Sequence, residues 1–373
     1  MFNVLTILGT RPEAVKLASV LRALQASEAF NSRVCLTGQH REMIEPFLGF
    51  FDIDPDWNLD VMRPNQSLPE LTSTILTDLQ PVLDAADPDL VLVQGDTTTA
   101  FVGALSAFYR KIPIGHVEAG LRSGDPSNPF PEEMNRRLID ALSTVCFAPT
   151  VGAQANLEAE GFPRERIAVT GNTAIDAILT VAQGDQLGKI RLPLELDEAK
   201  RLIVVTAHRR ESFGADLASI CRALKRLASE RDDVEIVYPV HLNPSVRTPV
   251  QERLGGIERL HLIEPVPYLE FVKLLARAYL ILTDSGGIQE EAPSLNVPVL
   301  VMRRTTERPE VVDSGAGRLV GTDPDRITDE AGRLLDNPAE HARMAESPNP
   351  FGDGHAGERI VAILEEIFGS GAS

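Results

Sequence analysis

The sequence contains little cysteine and an unbalanced set of charges. Its three cysteines, Cys35, Cys146 and Cys221, are scattered in apolar or helical contexts, so we expect small core residues in a reducing cytosol rather than a disulfide or metal framework. Acidic residues outnumber basic ones by 54 to 36, and the formal net charge of -18 opposes non-specific binding to nucleic acid or to an anionic membrane surface.

Several signatures of cofactors and membranes are also missing. No spacing of histidine, cysteine and acidic residues is typical of a zinc site. Neither a G-x-x-x-x-G-K-[ST] loop nor a G-x-G-x-x-G turn opening a helix occurs, so we expect neither a P-loop nor a nicotinamide cofactor. No apolar run is long enough to cross a bilayer, and residues 1–8 are typical of a first strand rather than a signal peptide. We therefore expect a cytoplasmic protein with no metal or cofactor.

Short apolar strands alternate with longer amphipathic helices along the 373 residues, which is a length suited to two domains. Strands are predicted at 3–8, 33–37, 89–94, 112–117, 144–148, 167–170, 201–206, 234–238, 259–263, 279–283, 297–301 and 317–320. Helices include 12–26, 67–85, 97–109, 132–142, 151–160, 215–230, 325–335 and 358–368. Continuous apolar strands in such an alternation are typical of parallel sheets covered on both faces.

The alternation occurs twice, which predicts an α/β protein with two doubly wound Rossmann-like domains facing across a cleft. We assign residues 1–171 and a C-terminal helix in 355–373 to the first domain, and residues 172–354 to the second. A linker is expected near 171–200, where a polar stretch breaks the pattern. Ligands of such domains sit beyond the carboxyl ends of the strands.

The segment 283–291, Thr-Asp-Ser-Gly-Gly-Ile-Gln-Glu-Glu, follows one of these strands. Ser285 is suited to cap a helix through its hydroxyl, and Gly286 and Gly287 lack side chains that would keep a ligand from the first helical N–H groups. Such a helix start favours phosphate. Glu291, further along the helix, can accept hydrogen bonds from ribose hydroxyls. The segment therefore predicts a nucleoside diphosphate site, although a ligand-free Gly-rich turn has the same pattern.

Charged residues also follow the first strand and the strand at 89–94. Arg11 and Lys16 lie where phosphate can bind, although surface charge alone explains them too. Asp96 is either a helix cap or a catalytic carboxylate. Glu118 ends the next strand, and neighbouring strands would bring Asp96 and Glu118 into one crevice.

Two further groups complete the candidate residues. Glu132 and Arg136 are four residues apart on one helical face, so they form either a surface ion pair or a third acid held by an arginine that also meets phosphate. Crowded carboxylates repel, which favours one of them keeping a proton for acid–base chemistry. His208, at the end of the strand at 201–206, can donate to a phosphate; His241 has a weaker case, and His116 reads as structural.

Taken together, these strings resemble the non-hydrolysing UDP-N-acetylglucosamine 2-epimerases over essentially the whole chain. The matching segments are 9–13, 39–43, 95–99, 116–122, 206–211, 283–291 and 306–310. The resemblance implies the two-domain GT-B-like architecture of many glycosyltransferases and phosphorylases, usually as a homodimer. It implies elimination of UDP across C1–C2 of the sugar to give 2-acetamidoglucal, followed by re-addition after a proton returns to the other face of C2.

The resemblance also implies residue roles. Asp96, Glu118 and Glu132 match acid–base carboxylates, and Arg136 and His208 match residues that hold the departing diphosphate. The implied nucleotide contacts are Arg11, Lys16, Phe271, Ser285, Gly286, Gly287, Glu291 and Arg308. An activator site for a second UDP-N-acetylglucosamine matches Gln39, Gln66, Glu133, Arg209 and His241. Val266 stands where some members have Gln near the uracil, and Asn65 replaces an Arg of some members.

Four other functions share parts of this pattern. An epimerase of UDP-2,3-diacetamido-glucuronate, or a hydrolysing epimerase that releases N-acetylmannosamine and UDP, would carry overlapping motifs. A glycosyltransferase of the same architecture would need one base and an acceptor groove, which three acids argue against. A non-catalytic UDP-sugar sensor would have no need to crowd like charges.

Overall fold

A computed structural model of the chain describes residues 1–38, 47–63, 65–185, 187–209 and 212–368. The chain forms two compact units, residues 1–177 with 351–373 and residues 178–350. Residues 172–177 and 351–354 therefore belong to the first unit, although from the sequence they were assigned to the second. Buried hydrogen bonds explain the difference, since Asn172 N donates to Phe351 O at 2.8 Å and Gly357 N donates to the Asp176 carboxylate at 2.7 Å.

The first unit contains a seven-stranded sheet in the order β3-β2-β1-β4-β5-β6-β7, with every pair parallel. Its strands are β1 (Phe2–Leu8), β2 (Phe30–Leu36), β3 (Trp57–Asn58), β4 (Leu90–Gln94), β5 (Ile114–Val117), β6 (Val145–Ala148) and β7 (Ile167–Val169). Its helices are α1 (Arg11–Ala26), α2 (Leu68–Ala86), α3 (Thr98–Tyr109), α4 (Glu132–Leu142), α5 (Val151–Ala159), α6 (Thr173–Gln183), which crosses the boundary, and the C-terminal Ala356–Phe368, labelled α14 below.

The second unit contains a six-stranded parallel sheet in the order β10-β9-β8-β11-β12-β13. Its strands are β8 (Arg201–Thr206), β9 (Val234–Pro239), β10 (Leu260–Ile263), β11 (Leu280–Thr283), β12 (Val299–Val301) and β13 (Gly317–Leu319). Its helices are α7 (Ala215–Glu230), α8 (Pro244–Leu254), α9 (Tyr268–Arg277), α10 (Gly286–Glu291), α11 (Pro309–Asp313), α12 (Pro324–Asp336) and α13 (Pro338–Ala345).

The predicted α/β class with two parallel sheets is confirmed, and all twelve predicted strands are present. Strands β4, β6, β11 and β12 are buried along their whole length, as continuous apolar runs require. Two predictions were incomplete. The strand β3 was missed because its two residues are half-buried or exposed and carry no pattern, and the expected linker at 171–200 contains helix α6.

The strand orders define where ligands can approach each unit. Strand order reverses direction between β1 and β4 in the first sheet and between β8 and β11 in the second. In doubly wound sheets the ligand crevice lies at this switch point, beyond the carboxyl ends of the strands. The segments that follow β1, β4, β8 and β11 carry half of the predicted site residues.

The three cysteines are buried and carry free thiols, as predicted for core residues. Burial raises the pKa of the Cys35 and Cys146 thiols to about 12 and that of Cys221 to about 11. Among the described helices, none combines the length and the hydropathy needed to cross a membrane.

Candidate active site

The turn after β1 is held by a buried glutamate. Thr10 caps α1, and the Glu13 carboxylate accepts hydrogen bonds from Gly9 N at 3.1 Å and Thr10 N at 2.7 Å, which completes a capping box. Thr97, after β4, donates to the other Glu13 oxygen at 2.8 Å. Burial raises the pKa of Glu13, and the hydrogen bonds from Thr10, Thr97 and Gly9 offset this rise only partly. Glu13 therefore joins the turns that follow the two switch-point strands.

Glu118, directly after β5, contacts Lys16 and Gln94, two polar side chains of neighbouring elements. Its Oε1 is 2.5 Å from the Lys16 ammonium on α1, and its Oε2 accepts from the Gln94 amide at the end of β4. The Glu118 side chain is 10% exposed, so the Lys16 pair is only weakly screened by solvent. The predicted adjacency of the strands before Asp96 and Glu118 is confirmed, because β4 and β5 pair directly.

The backbone of Glu118 adopts a conformation that is rare for a residue with a side chain. Its φ angle is +70°, in the left-handed region that favours glycine. Such a residue costs about 1–3 kcal/mol and persists only where the surroundings hold it. Glu118 N donates to Phe147 O of the neighbouring β6 strand at 3.1 Å, which fixes this backbone. This backbone conformation directs the Glu118 carboxylate to the end of the sheet.

Asp96 does not cap the helix that follows it, so the cap interpretation of this residue is wrong. Thr97 occupies the N-cap of α3, and its hydroxyl accepts from Ala100 N at 3.0 Å. The Asp96 carboxylate pairs instead with Arg136 on α4. Asn135 Nδ2 donates to Asp96 O at 2.9 Å and fixes the same turn. The carboxylate is thus held at the sheet edge, with its side chain 27% exposed.

Arg136 is positioned by Asp96 and Glu133, and the predicted pairing with Glu132 is wrong. Glu133 is fully buried, and its Oε2 lies 2.7 Å from Arg136 Nη1 and accepts from Ser123 N at 3.0 Å. Burial alone would raise the pKa of Glu133, but the Ser123 N–H and the two arginines that follow it on α4, Arg136 and Arg137, hold that pKa below its usual range.

Glu132 is the first residue of α4 and is half-buried. Its carboxylate makes no hydrogen bond or ion pair with another residue of the described chain. An acidic group at a helix start is stabilised by the helix dipole without a side-chain partner. Glu132 therefore remains open to an external proton donor or acceptor. Arg11, the first residue of α1, is likewise half-buried and engages no other described side chain.

At the switch point of the second unit, Asp284 holds the loop that carries His208. Asp284 is fully buried after β11, and its Oδ2 accepts from His208 N at 2.9 Å and Arg209 N at 2.8 Å. The His208 ring lies 3.7 Å from Asp284 Oδ1 and stacks on His241 at 5.5 Å with an 11° angle between rings. Burial lowers the pKa of His208; Asp284 opposes this shift, while His241 and Arg209 add to it.

Helix α10 begins beside this loop, as the sequence predicts, and a short 3-10 turn containing Pro293 follows it. One expectation is wrong: Ser285 occupies the N-cap, but its hydroxyl makes no capping hydrogen bond. A Cβ on Gly286 would meet only Arg209 Nη2 at 3.4 Å, and one on Gly287 only Glu291 Oε1 at 3.9 Å. The space in front of the first helical N–H groups is therefore open to a ligand.

The remaining predicted nucleotide contacts lie in the same unit. Arg308 pairs with Glu290 on α10, and Glu290 is 4% exposed, so this ion pair joins the segment after β12 to the helix. Phe271 is half-buried on α9, and Glu291 is the last residue of α10. Arg209 Nη2 lies 3.6 Å from Glu307 Oε2, which leaves its guanidinium close to the helix start.

The residues predicted for an activator site have separate environments. Gln39 lies outside the described residues. Gln66 Oε1 accepts from Arg63 N at 3.3 Å in the turn before α2. Glu133 is buried against Arg136, whereas Arg209 and the exposed His241 lie at the second switch point beside His208.

Sequence reasoning missed Gln94 and Asp284 as supports of the site. Gln94 ends an otherwise apolar strand, and Asp284 directly follows one. A polar side chain in that position of a buried strand is the signal that could have identified both, because an unpartnered polar group would be costly there. Among the described residues, no group of three histidine, cysteine or acidic side chains is arranged to hold a metal ion.

A family model described as UDP-N-acetylglucosamine 2-epimerase matches residues 22–365. The UDP-N-acetylglucosamine 2-epimerase of Yersinia pestis is 52% identical over 369 residues, 97% of this chain and 98% of that protein. The protein of the same name from Escherichia coli (strain K12) is 51% identical over 371 residues, again covering 97% and 98%. The crystal structure of UDP-GlcNAc 2-epimerase from Neisseria meningitidis, bound to UDP-GlcNAc, has a TM-score of 0.88 and 46% identity, covering 97% of this chain and 99% of that chain. The likeness extends over both compact units.

Proposed function

This chain belongs to the UDP-N-acetylglucosamine 2-epimerase family, and from that membership and from its site we propose that it reversibly converts UDP-N-acetylglucosamine into UDP-N-acetylmannosamine. The Neisseria meningitidis relative binds UDP-GlcNAc, which supports the same substrate here. The enzyme is an isomerase, and the reaction needs proton exchange at C2 together with departure and return of UDP at C1.

The proposed reaction has two balanced steps. A carboxylate removes the C2 proton while the C1–O bond breaks and UDP leaves, which gives 2-acetamidoglucal. UDP then adds back to C1 while a second carboxylic acid delivers a proton to the opposite face of C2. Transfer in both directions needs one group that accepts a proton and one that donates it. Stabilising the negative charge that develops on the leaving diphosphate lowers the barrier further.

Proton transfer is assigned to the first unit. The observation that carries the proposal is the set of carboxylates Asp96, Glu118 and Glu132, which lie after β4, after the neighbouring β5 and at the start of α4, the helix whose Arg136 pairs with Asp96. Asp96 pairs with an arginine and Glu118 with a lysine, so each of these carboxylates has a cationic partner. Glu132 has no cationic partner among the described residues. Groups with different partners can hold different protonation states, as opposed proton transfers require.

Diphosphate binding is assigned to the second unit. The open start of α10 supplies N–H groups at Gly286 and Gly287, and His208 and Arg209 lie beside it. The Ser285 hydroxyl is not used for capping and can donate to a phosphate oxygen. Glu291 and the half-buried Phe271 are proposed to contact the ribose and the uracil.

Proton NMR of the protein with UDP-N-acetylglucosamine in deuterated water tests the proposal. The expected product is UDP-N-acetylmannosamine carrying deuterium at C2. Free N-acetylmannosamine with UDP would instead establish a hydrolysing epimerase. A substrate that keeps its C2 proton under these conditions, while UDP-2,3-diacetamido-glucuronate is epimerised, would overturn the assignment of the sugar.

A homodimer is the second part of the proposal, supported by exposed apolar side chains on neighbouring helices of the first unit. Phe108 and Tyr109 at the end of α3 are 53% and 65% exposed, and Met134 and Leu138, one turn apart on α4, are 39% and 41% exposed. Clustered exposed apolar groups mark association surfaces. We expect Leu138→Glu to produce monomers in light scattering, whereas Val151→Glu, on the separate helix α5, leaves the dimer intact.

Binding of a second UDP-N-acetylglucosamine as activator stays a prediction. Arg209 and His241 support it, because both lie at the second switch point next to the proposed diphosphate site. A sigmoidal dependence of rate on substrate that becomes hyperbolic in His241→Ala would support activation. Hyperbolic kinetics in the unmodified protein would remove it.

A further inference from the structure

His116, in the middle of β5, is fully buried and makes two hydrogen bonds. Its Nδ1 is 2.6 Å from Asp140 Oδ1 on α4, and its Nε2 is 2.8 Å from Gly95 O at the end of β4. Sequence analysis classed this histidine as structural. Its partners connect elements that carry the acid–base carboxylates, which gives the ring a more specific role.

The hydrogen-bond partners of the ring indicate which of its nitrogens carries a hydrogen. A backbone carbonyl only accepts, so Nε2 carries a hydrogen. Asp140 also receives Arg122 Nη2 at 2.8 Å and Gly120 N at 3.3 Å. Burial alone would raise the pKa of Asp140, but His116 and Arg122 hold it below its usual range. Asp140 therefore holds the ring, a guanidinium and a backbone N–H at one buried carboxylate.

This buried hydrogen-bonded pair joins three segments of the site. Gly95, bound by the ring, is the residue before Asp96, and Gly120, bound by Asp140, lies two residues after Glu118. Asp140 itself lies on α4, the helix that begins with Glu132 and carries Arg136. Asn135 of the same helix holds the Asp96 carbonyl. A shift of the pair would therefore move Asp96, Glu118 and Glu132 relative to one another.

We propose that His116 and Asp140 are positioning residues for the acid–base carboxylates, an inference that rests on the proposed epimerase function. They touch no reacting atom. A buried ion pair is weak evidence for stability, since an apolar pair of similar volume often folds as well. His116 bonds the Gly95 carbonyl after β4, and Asp140 bonds the Gly120 N–H after β5. These directional bonds can fix the position of both segments, which apolar packing cannot do. Small displacements of catalytic groups slow a reaction by about a hundredfold.

The test uses His116→Gln and the nearly isosteric Asp140→Asn in the full-length protein, with the folded fraction measured by circular dichroism. Per folded molecule, we expect kcat to fall by about tenfold to about a hundredfold, while KM and the Kd for UDP change less than about threefold. The matched control is His261→Gln in the second unit, because His261 Nε2 lies 2.7 Å from Glu235 Oε1 in a similar pair. This control should keep its kcat.

A merely structural pair gives a different result. In that case the variants would melt at lower temperature, but the folded molecules would retain the kcat of the unmodified protein, and the positioning role would be overturned. A long-range proton–nitrogen NMR spectrum of the unmodified protein in which Nε2 carries no hydrogen would also overturn it, and this measurement does not depend on the folding of a variant. Absence of C2 exchange in the unmodified protein would reject the epimerase proposal itself.

Discussion

Lys16 and Glu118, which are 102 residues apart in the chain, form an ion pair with an Nζ–Oε1 distance of 2.5 Å. The family resemblance implies nucleotide contact for the lysine and proton transfer for the glutamate, yet in the structure the two side chains engage each other. A cation beside a partly buried carboxylate favours its ionised form. Substrate that draws Lys16 away from Glu118 would weaken that preference.

Two substitutions of Glu118 distinguish the energetic cost of its backbone conformation from the catalytic role of its carboxylate. Glu118→Ala and Glu118→Gly both remove the carboxylate, but only alanine keeps a Cβ at a φ of +70°. We expect Glu118→Gly to be more stable than Glu118→Ala by about 1 kcal/mol, the reverse of the usual order, and both to lack epimerase activity. Denaturant titration gives the stabilities. Equal stabilities would show that the backbone relaxes in the variants.

Asp96→Asn tests the acid–base role of the residue paired with Arg136. Removal of a general acid or base slows a reaction by about 10²–10⁴-fold, so we expect kcat to fall in that range while UDP binding changes little. Asp84→Asn is the matched control, because Asp84 pairs with Arg110 on the surface of the same unit. A near-normal rate in Asp96→Asn would remove the residue from the reaction, and an equal loss in the control would point to a general effect.

We expect the His208 ring to become protonated when UDP binds. Burial lowers the pKa of this ring in the free protein, so the ring is largely neutral at neutral pH. A diphosphate placed beside it favours the imidazolium and raises that pKa, so proton uptake accompanies binding near neutral pH. Calorimetry in buffers with different ionisation enthalpies measures the uptake. We expect His208→Asn to abolish it and His355→Asn, an exposed histidine paired with Glu358, to retain it. Uptake that persists in His208→Asn would assign the proton to another group.

Gly287→Ala tests the approach of phosphate to α10. An added Cβ meets nothing nearer than Glu291 Oε1 at 3.9 Å, so folding should be unaffected. The methyl group would occupy space that the diphosphate needs, and we expect the Kd for UDP to rise about tenfold or more, equivalent to about 1.4 kcal/mol. Gly188→Ala is the control, because a Cβ there meets nothing within 4 Å. Unchanged affinity in Gly287→Ala would place the diphosphate elsewhere.

Most of the fold could be predicted because its strands are buried on both faces and read as continuous apolar runs. Strand β4 illustrates this, with all five residues buried. The exceptions lack that signal. Strand β3 has two residues at the edge of the sheet. Helix α6 has an apolar helical pattern of its own, but it was included in the expected linker because the glycine and polar residues that follow it, at 184–188, break the alternation. Tertiary contacts, such as that between Asp176 and Gly357, decide such segments.

Side-chain pairings within the site were less predictable. The spacing of Glu132 and Arg136 is correct for an ion pair along a helix, but Asp96 and Glu133 compete for the same guanidinium, and only Glu133 is visible as a sequence neighbour. The same limit applies to His116, whose partners lie 21 and 24 residues away. A single sequence shows which side chains lie at the end of the sheet, but it does not show which of them pair with each other.

Helix α14 gives the first unit an unusual dependence on the order in which the chain is made. This helix packs on α1, where Gly357 approaches the Ser19 backbone so closely that a Cβ would lie 2.7 Å from its carbonyl carbon, and Asp176 accepts from Gly357 N. Residues 178–350 leave the ribosome before this helix does. During translation the second unit can therefore complete its core first, while the first unit, although it begins earlier, waits with its α1 surface uncovered until α14 has been made.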